Sequence, residues 1–205
     1  MVGFCLRVKV LMRFPAFILA ACLVGSASAQ INVAAAANGG TASQSSLWTA
    51  AATADKAIDG NNNGVWGANG IFTLNHTNAE QGAWLKIMFN DTYSIDTLNI
   101  WNRVELSERL NPFSVRLYDG ANLAWESTGL TFDDNINDGL NFTKGMLLSP
   151  GGILANSVEI QLDGSNYLHL AEVEAFAPVP EPATMIGLAA GGLLLLKRRK
   201  AKAKA

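Results

Sequence analysis

Between Gln30 and Pro178 the chain has six Lys or Arg residues against sixteen Asp or Glu, a net of −10. Two of the six, Arg103 and Arg109, lie in one short stretch, Trp101 to Leu110, with Glu105 and Glu108 between them. His76 stands 27 positions before Arg103. Guanidinium groups are permanently charged, planar and rich in donors, so they can hydrogen-bond hydroxyl and ring oxygens without an anionic ligand. His76 could serve one hydroxyl and the two arginines two others, with Glu105 holding the guanidinium groups from behind. Such a set would grip a neutral polyol. The same residues also have a plainer use, as Arg–Glu pairs on a solvated loop, each worth about 0–1 kcal/mol. The second histidine, His169, has no comparable company and reads as an ordinary strand or loop residue.

A second grouping is Lys56-Ala57-Ile58-Asp59-Gly60-Asn61-Asn62-Asn63-Gly64. A hard cation such as calcium takes six to eight oxygens, which a tight loop with one carboxylate, amides and free carbonyls can supply. A plain Asn/Gly turn would have the same composition. The acidic balance makes nucleic acid an unsuitable partner, because phosphate binding needs a basic surface. It suits a cation. Sixteen acids could include a pair for glycoside hydrolysis, but no motif singles two out. Two histidines without cysteines in the central stretch do not make a zinc site. Binding, not catalysis, is the expectation.

The elements that must position these groups have a period of two. Phe113, Val115 and Leu117 alternate with Ser114, Arg116 and Tyr118. Val158, Ile160 and Leu162 alternate with Glu159 and Gln161, and Ala171, Val173 and Ala175 with Glu172 and Glu174. Trp84–Phe89 and Ile95–Trp101 are further strand candidates, with Asn90-Asp91 read as the turn between them. No segment carries a convincing amphipathic helix. The expected fold is all-β, a single sandwich or jelly roll over residues 30–178 with one face of several strands in water.

Both ends of the chain read as addresses. Residues 1–29 have a basic start, an apolar run from Phe14 to Val24 and Ala27-Ser28-Ala29 as a cleavage site, the pattern of a secretory signal peptide. Met12 would start a more compact signal. Leu19-Ala20-Ala21-Cys22 also fits a lipobox, which would leave Cys22 lipidated. Cleavage after Ala29 would remove both cysteines, Cys5 and Cys22, and with them any disulfide or thiolate chemistry. Residues 179–205 begin Val179-Pro180-Glu181-Pro182, continue apolar from Ala183 to Leu196 and end in Lys197-Arg198-Arg199-Lys200. As helix the apolar run would be about 21 Å long, short of a hydrocarbon core of roughly 30 Å. Its proline-bracketed entry and basic exit nevertheless suit a transmembrane segment with a cytoplasmic tail.

These three parts in order resemble a PEP-CTERM sorting signal, with Pro180, Glu181 and Pro182 as its motif. The resemblance implies processing by signal peptidase and an exosortase. It also implies residence in the inner membrane before processing, and delivery to the envelope, surface or matrix of an exopolysaccharide-producing Gram-negative cell.

The central stretch carries a further resemblance. Asn32-Val33, Thr41 to Ser46, Ala57-Ile58-Asp59-Gly60-Asn61, His76-Thr77-Asn78, Trp84-Leu85, Ile100 to Arg103, Glu108-Arg109-Leu110 and Tyr167 to Glu174 occur in the order seen in F-type lectins. Those are fucose-binding members of the discoidin (F5/8 type C, galactose-binding-like) jelly-roll group. Their sugar motif is a His, 26 residues, an Arg, one residue, an Asp, four residues and a basic residue. His76 and Arg103 keep the long spacing. Glu105 replaces the Asp, only three residues separate it from Arg109, and the cysteines that many F-type lectins carry in this loop are missing. Leu106 or a nearby aromatic would then have to supply the apolar contact to a sugar. The resemblance also implies a structural calcium held by the Asp59 carboxylate, carbonyls of Lys56, Asn61 and Ala171, Thr73, and Glu172. Two functions follow as expectations. One is an exported lectin-like protein binding a glycan or exopolysaccharide through His76, Arg103, Arg109 and Glu105. The other is a structural or adhesive matrix protein with the same fold and no working sugar site.

Overall fold

The computed structural model describes residues 29–67, 72–132 and 145–179. The expected signal peptide and the expected transmembrane sorting helix with Pro180, Glu181 and Pro182 lie outside these residues. Among the described residues no helix is long and apolar enough to cross a membrane.

Two antiparallel sheets face each other. The first has the order β1 (Gln30–Asn32), β11 (Leu170–Pro178), β5 (Thr97–Asn102), β8 (Gly145–Leu148). The second runs β2 (Thr41–Gln44), β4 (Trp84–Ile95), β9 (Ile153–Leu162), β6 (Phe113–Asp119), β7 (Asn122–Leu130). A small hairpin pairs β3 (Glu80–Gln81) with β10 (Ser165–Asn166). Between the sheets lies one apolar cluster in which Leu98, Ile100, Val173 and Ala175 meet Leu85, Ile87, Val115, Leu117, Val158 and Ile160. Alternation along each strand puts these side chains on the inner faces. Burying each of the larger ones is worth about 1.5–3 kcal/mol, and together they hold the sandwich. The all-β expectation is met, and the helical turns among the described residues are short 3-10 segments such as Ala54–Ile58 and Ser107–Leu110.

Two details differ from the sequence expectation. Asn90-Asp91 is not the turn between two strands. It lies inside β4, where the four residues Phe89–Thr92 stand opposite Asn156 alone in β9. The polar side chains that suggested a turn satisfy the bulge locally: Tyr93 Oη donates to Asn90 Oδ1 at 2.6 Å, and the Thr92 amide to Asp91 Oδ1 at 2.7 Å. The real change of direction comes at Asp96, the single residue at which the chain leaves the second sheet and enters the first. Strict alternation also fails in β11. A register shift between Leu170 and Glu172 inserts Ala171 as an extra residue, so Ala171 and Glu172 are both buried, at 0% and 1% exposure. A bulge re-aims a side chain in this way.

The loop 73–77 fills one end of the sandwich without pairing as a strand. The Asn75 amide nitrogen donates to Gln44 Oε1 at 3.1 Å, while its Oδ1 accepts from the Leu170 amide at 2.8 Å. The backbone of His76 donates to Ala52 O at 3.0 Å, and its carbonyl accepts from the Trp48 amide and from Gln44 Nε2, both at 3.1 Å. Thr77 donates from its backbone to Leu168 O, and its hydroxyl accepts from the Leu168 amide at 2.9 Å. An Asn75→Ala variant leaves the Leu170 N–H buried without a partner. Its unfolding free energy, measured by denaturant titration, is expected to fall by about 1–3 kcal/mol.

Candidate functional site

His76, Arg103 and Arg109 come from three separate places and converge on one depression of about 240 Å³, which Trp48, Trp66 and Tyr167 also line. Arg103 leaves the end of β5, where its amide donates to Asn102 Oδ1 at 2.7 Å. Asn102 Nδ2 in turn donates to Ser107 O at 2.9 Å and so folds the following loop back on the strand. Leu106 takes a left-handed φ of 59° and starts the 3-10 turn that presents Arg109, while Leu110 is fully buried beneath it. The loop with three residues between Glu105 and Arg109 therefore still turns its arginine toward the depression.

Aromatic faces hold both guanidinium groups. Arg103 lies 5.0 Å from the Trp66 ring and Arg109 lies 4.9 Å from Tyr167, distances at which a cation is attracted to a ring's π face. Glu105 stands behind Arg103, with Oε2 3.4 Å from Nε and accepting from the Trp66 amide at 3.3 Å. It is not among the residues that line the depression. Its side chain is 49% exposed, whereas that of Arg103 is 10% exposed, so the pair fixes the arginine more than it stabilises the fold.

The charge state of His76 follows from its surroundings. Its Nδ1 lies 2.7 Å from the Thr77 carbonyl, which can only accept, so the neutral ring carries its proton on Nδ1. Nε2 is left as an acceptor without a partner among the described residues. Burial lowers its pKa, the Thr77 contact partly offsets this, and the charges of Arg103 and Arg109 lower it further. The depression thus offers one neutral acceptor beside two charged donor groups. Trp48 adds an apolar surface. Its ring is 5.2 Å from His76 and 5.5 Å from Trp66, and the residue is 49% exposed.

Sequence reasoning set His169 aside as an ordinary strand or loop residue, and His169 does not line the depression, but it missed the support this ring gives His76 and passed over Trp48, Trp66 and Tyr167. His169 is completely buried, 5.3 Å from the His76 ring, and neither ring nitrogen has a hydrogen-bond partner. Burial foremost, then the cost of placing a second protonated ring beside His76 and the charge of Arg103, pushes its pKa down to about 3. It stays neutral and backs the His76 ring. Nothing in its sequence neighbourhood marks this. The aromatic residues did leave a signal, since Trp48 and Trp66 sit in Ser-, Asn- and Gly-rich loops where a purely solvated segment has no use for a large ring.

The residues of the expected calcium site are partly gathered. The Gly60 amide donates to Glu172 Oε2 at 3.2 Å, which ties the Asp59 turn to β11 across 112 positions of sequence. The other oxygen, Oε1, is buried with no partner. Burial, helped by the Asp59 carboxylate, pushes the Glu172 pKa up to about 8. Asp59 is also raised by burial, with the Asn61 amide and the Lys56 charge opposing, and Lys56 Nζ lies 3.9 Å from Asp59 Oδ2. The Asn61 amide donates to Asp59 Oδ1 at 3.0 Å and the Asn63 amide to Asn61 Oδ1 at 3.1 Å, a succession of tight polar turns. Thr73 is buried and donates its hydroxyl hydrogen to Val65 O at 3.0 Å, which leaves the oxygen free to accept. Among the described residues no three His, Cys, Asp or Glu side chains cluster as metal ligands. A cation here would need main-chain oxygens beside the two carboxylates.

The sandwich shares its fold with lectin-like and carbohydrate-binding domains of known structure. Residues 56–143 match the F5/F8 type C family described as the NedA-like, galactose-binding domain. The chain is similar to the lectin domain of lectinolysin complexed with Lewis B antigen, at 26% identity and a TM-score of 0.60, over 73% of this chain and 98% of that one. It is similar to a fucose binding module of Streptococcus pneumoniae, at 25% identity and a TM-score of 0.62, over 72% and 96% of the two chains. In fold it is also similar to the fucolectin of striped bass (Morone saxatilis) serum, at 23% identity and a TM-score of 0.56, over 69% and 46%. No curated protein sequence matches the chain.

Titration of His169 has a readable consequence. A histidine whose folded pKa is lowered contributes stability that is fully present above about 6.5 and is lost as pH falls toward 3. Denaturant midpoints compared at pH 7 and pH 4 are expected to drop less for His169→Leu than for the parent chain. An equal drop in both would mean that His169 does not contribute to the acid sensitivity.

Proposed function

We propose that the protein is an exported, non-catalytic carbohydrate-binding protein and that the depression lined by His76, Arg103 and Arg109 is its saccharide site. The observation that carries this reading is the convergence of one acceptor and two fixed donor groups beside an exposed aromatic ring. A pyranose needs that combination. Its hydroxyl can donate to His76 Nε2, its other oxygens can accept from the guanidinium groups, and its C–H face can cover Trp48. Trp48 then takes the apolar role that the missing cysteines leave open. The relatives that bind Lewis B antigen and fucose support a glycan as the class of partner. A single shallow site of this kind binds weakly, so display of many copies on an envelope or matrix would raise the effective affinity. Residues 1–29 and 179–205, read as signal peptide and PEP-CTERM sorting signal, would bring the protein through the inner membrane to such a surface with signal peptidase and an exosortase as processing partners.

Calcium fits as a structural ion. Glu172 has a buried, unpartnered carboxyl oxygen beside the Asp59 carboxylate, surroundings that favour its protonated form and in which a bound cation would instead stabilise the ionised one. Asp59 and Glu172, with Thr73 and the carbonyls of Lys56, Asn61 and Ala171, would hold it. By joining the loop at residue 59 to β11 it would brace the end of the sandwich that carries the site.

Two outcomes are expected. On a glycan array the purified full chain binds a defined set of saccharides, and Arg103→Ala or Trp48→Ala each weakens that binding at least about tenfold, the loss of roughly 1.4 kcal/mol. An array without hits would instead favour a structural matrix protein. Millimolar calcium raises the melting temperature of the parent chain through binding to the folded state, and Glu172→Gln abolishes the rise. No shift in the parent would remove calcium from the account.

A further inference from the structure

The described residues include five cationic side chains, and four have a carboxylate within 4.0 Å. Lys56 lies 3.9 Å from Asp59, Lys86 3.8 Å from Glu159, Arg103 3.4 Å from Glu105 and Arg116 2.6 Å from Glu126. Arg109 has no such partner and makes no side-chain hydrogen bond among the described residues. In a stretch with sixteen acids against six bases, this is the exception that needs a cause. An acid was at hand, since Glu108 precedes it directly and is exposed on the same 3-10 turn. The guanidinium lies over Tyr167 in the wall of the depression instead.

We propose that the saccharide bound here is acidic and that its carboxylate is the missing partner of Arg109. This rests on the reading of the depression as a saccharide site and narrows its ligand class to uronic acids and related carboxylated sugars. The planar fork of an arginine matches a carboxylate through two parallel hydrogen bonds, and such charge-assisted bonds are roughly twice as strong as neutral ones. The other groups leave this task to Arg109. Glu105 already balances the charge of Arg103, and His76 stays neutral. Arg103 and His76 are therefore suited to hydroxyl groups, and Arg109 to the one ionised group. The net charge of −10 over residues 30–178 disfavours polyanions in general, so selectivity for an acidic sugar would be local to this position.

The test compares matched pairs that differ only at C6: the methyl glycosides of galactose and galacturonate, glucose and glucuronate, and mannose and mannuronate. Affinities for the purified full chain are measured by calorimetry. In at least one pair the acid is expected to bind about tenfold more tightly at low salt. The preference should shrink in about 1 M NaCl, where the screening length falls to about 3 Å. Arg109→Gln should bring the ratio within that pair close to one, and Arg109→Lys should keep part of it, because charge remains while the fork is lost. Neutral sugars binding as well as their acids in every pair would overturn the proposal and leave the saccharide site standing. Failure of every sugar to bind, with a blank array, would overturn both. A 6-sulfated galactoside binding more tightly than every uronate would replace carboxylate by sulfate and refute the assignment as stated.

Discussion

The loop from Thr73 to Thr77 has no strand of its own to join, and the site depends on how its buried polar groups are satisfied. Asn75 bonds to Gln44 on one side and to Leu170 on the other, and Thr77 bonds to Leu168. All join elements far apart in sequence, and those to Leu170 and Leu168 are buried, so leaving either of these unmade exposes a donor or acceptor to an apolar interior. The loop is thereby held against the start of β11 and the last residue of β2. His76, between Asn75 and Thr77, has little freedom of position. The same ties bring Tyr167 and His169 from one side and Trp48 from the other against its ring.

Around that fixed histidine, charge and aromatic surface support each other. Each arginine of the site lies near an aromatic ring, and only Arg103 also has a carboxylate. Rings restrain long side chains without neutralising them, so the donors stay available to a ligand. The paired histidines do the opposite: two neutral rings next to two guanidinium groups keep further positive charge out of the interior. Glu172 lies in the neighbouring strand with an unpartnered oxygen, and the bulge at Ala171 that turns it inward also shapes the end of β11 beneath the site.

Much of the fold was legible because its signal is local. Alternation in Phe113 to Leu117 and Val158 to Leu162 marks strands whatever they pair with, and the spacing of His76 and Arg103 is a property of the linear chain. What could not be read depends on partners distant in sequence. Asn90-Asp91 looks like a turn on its own and becomes a bulge only because β9 continues past it. His169 looks like a spare strand residue until packing puts it behind His76. Trp48, Trp66 and Tyr167 lie in three separate loops, and only the closed sandwich makes them one surface. The three-residue spacing before Arg109 gave no sign of its outcome either, because the result rests on Leu106 adopting a left-handed conformation over a buried Leu110.

A structure of the chain in complex with the tightest-binding saccharide of a broad panel tests the central claim most directly. The account predicts one pyranose ring in the depression, with oxygens within hydrogen-bonding distance of His76 Nε2 and both guanidinium groups and its apolar face against Trp48. A ring bound elsewhere on the sandwich, with the depression holding only water, would contradict it.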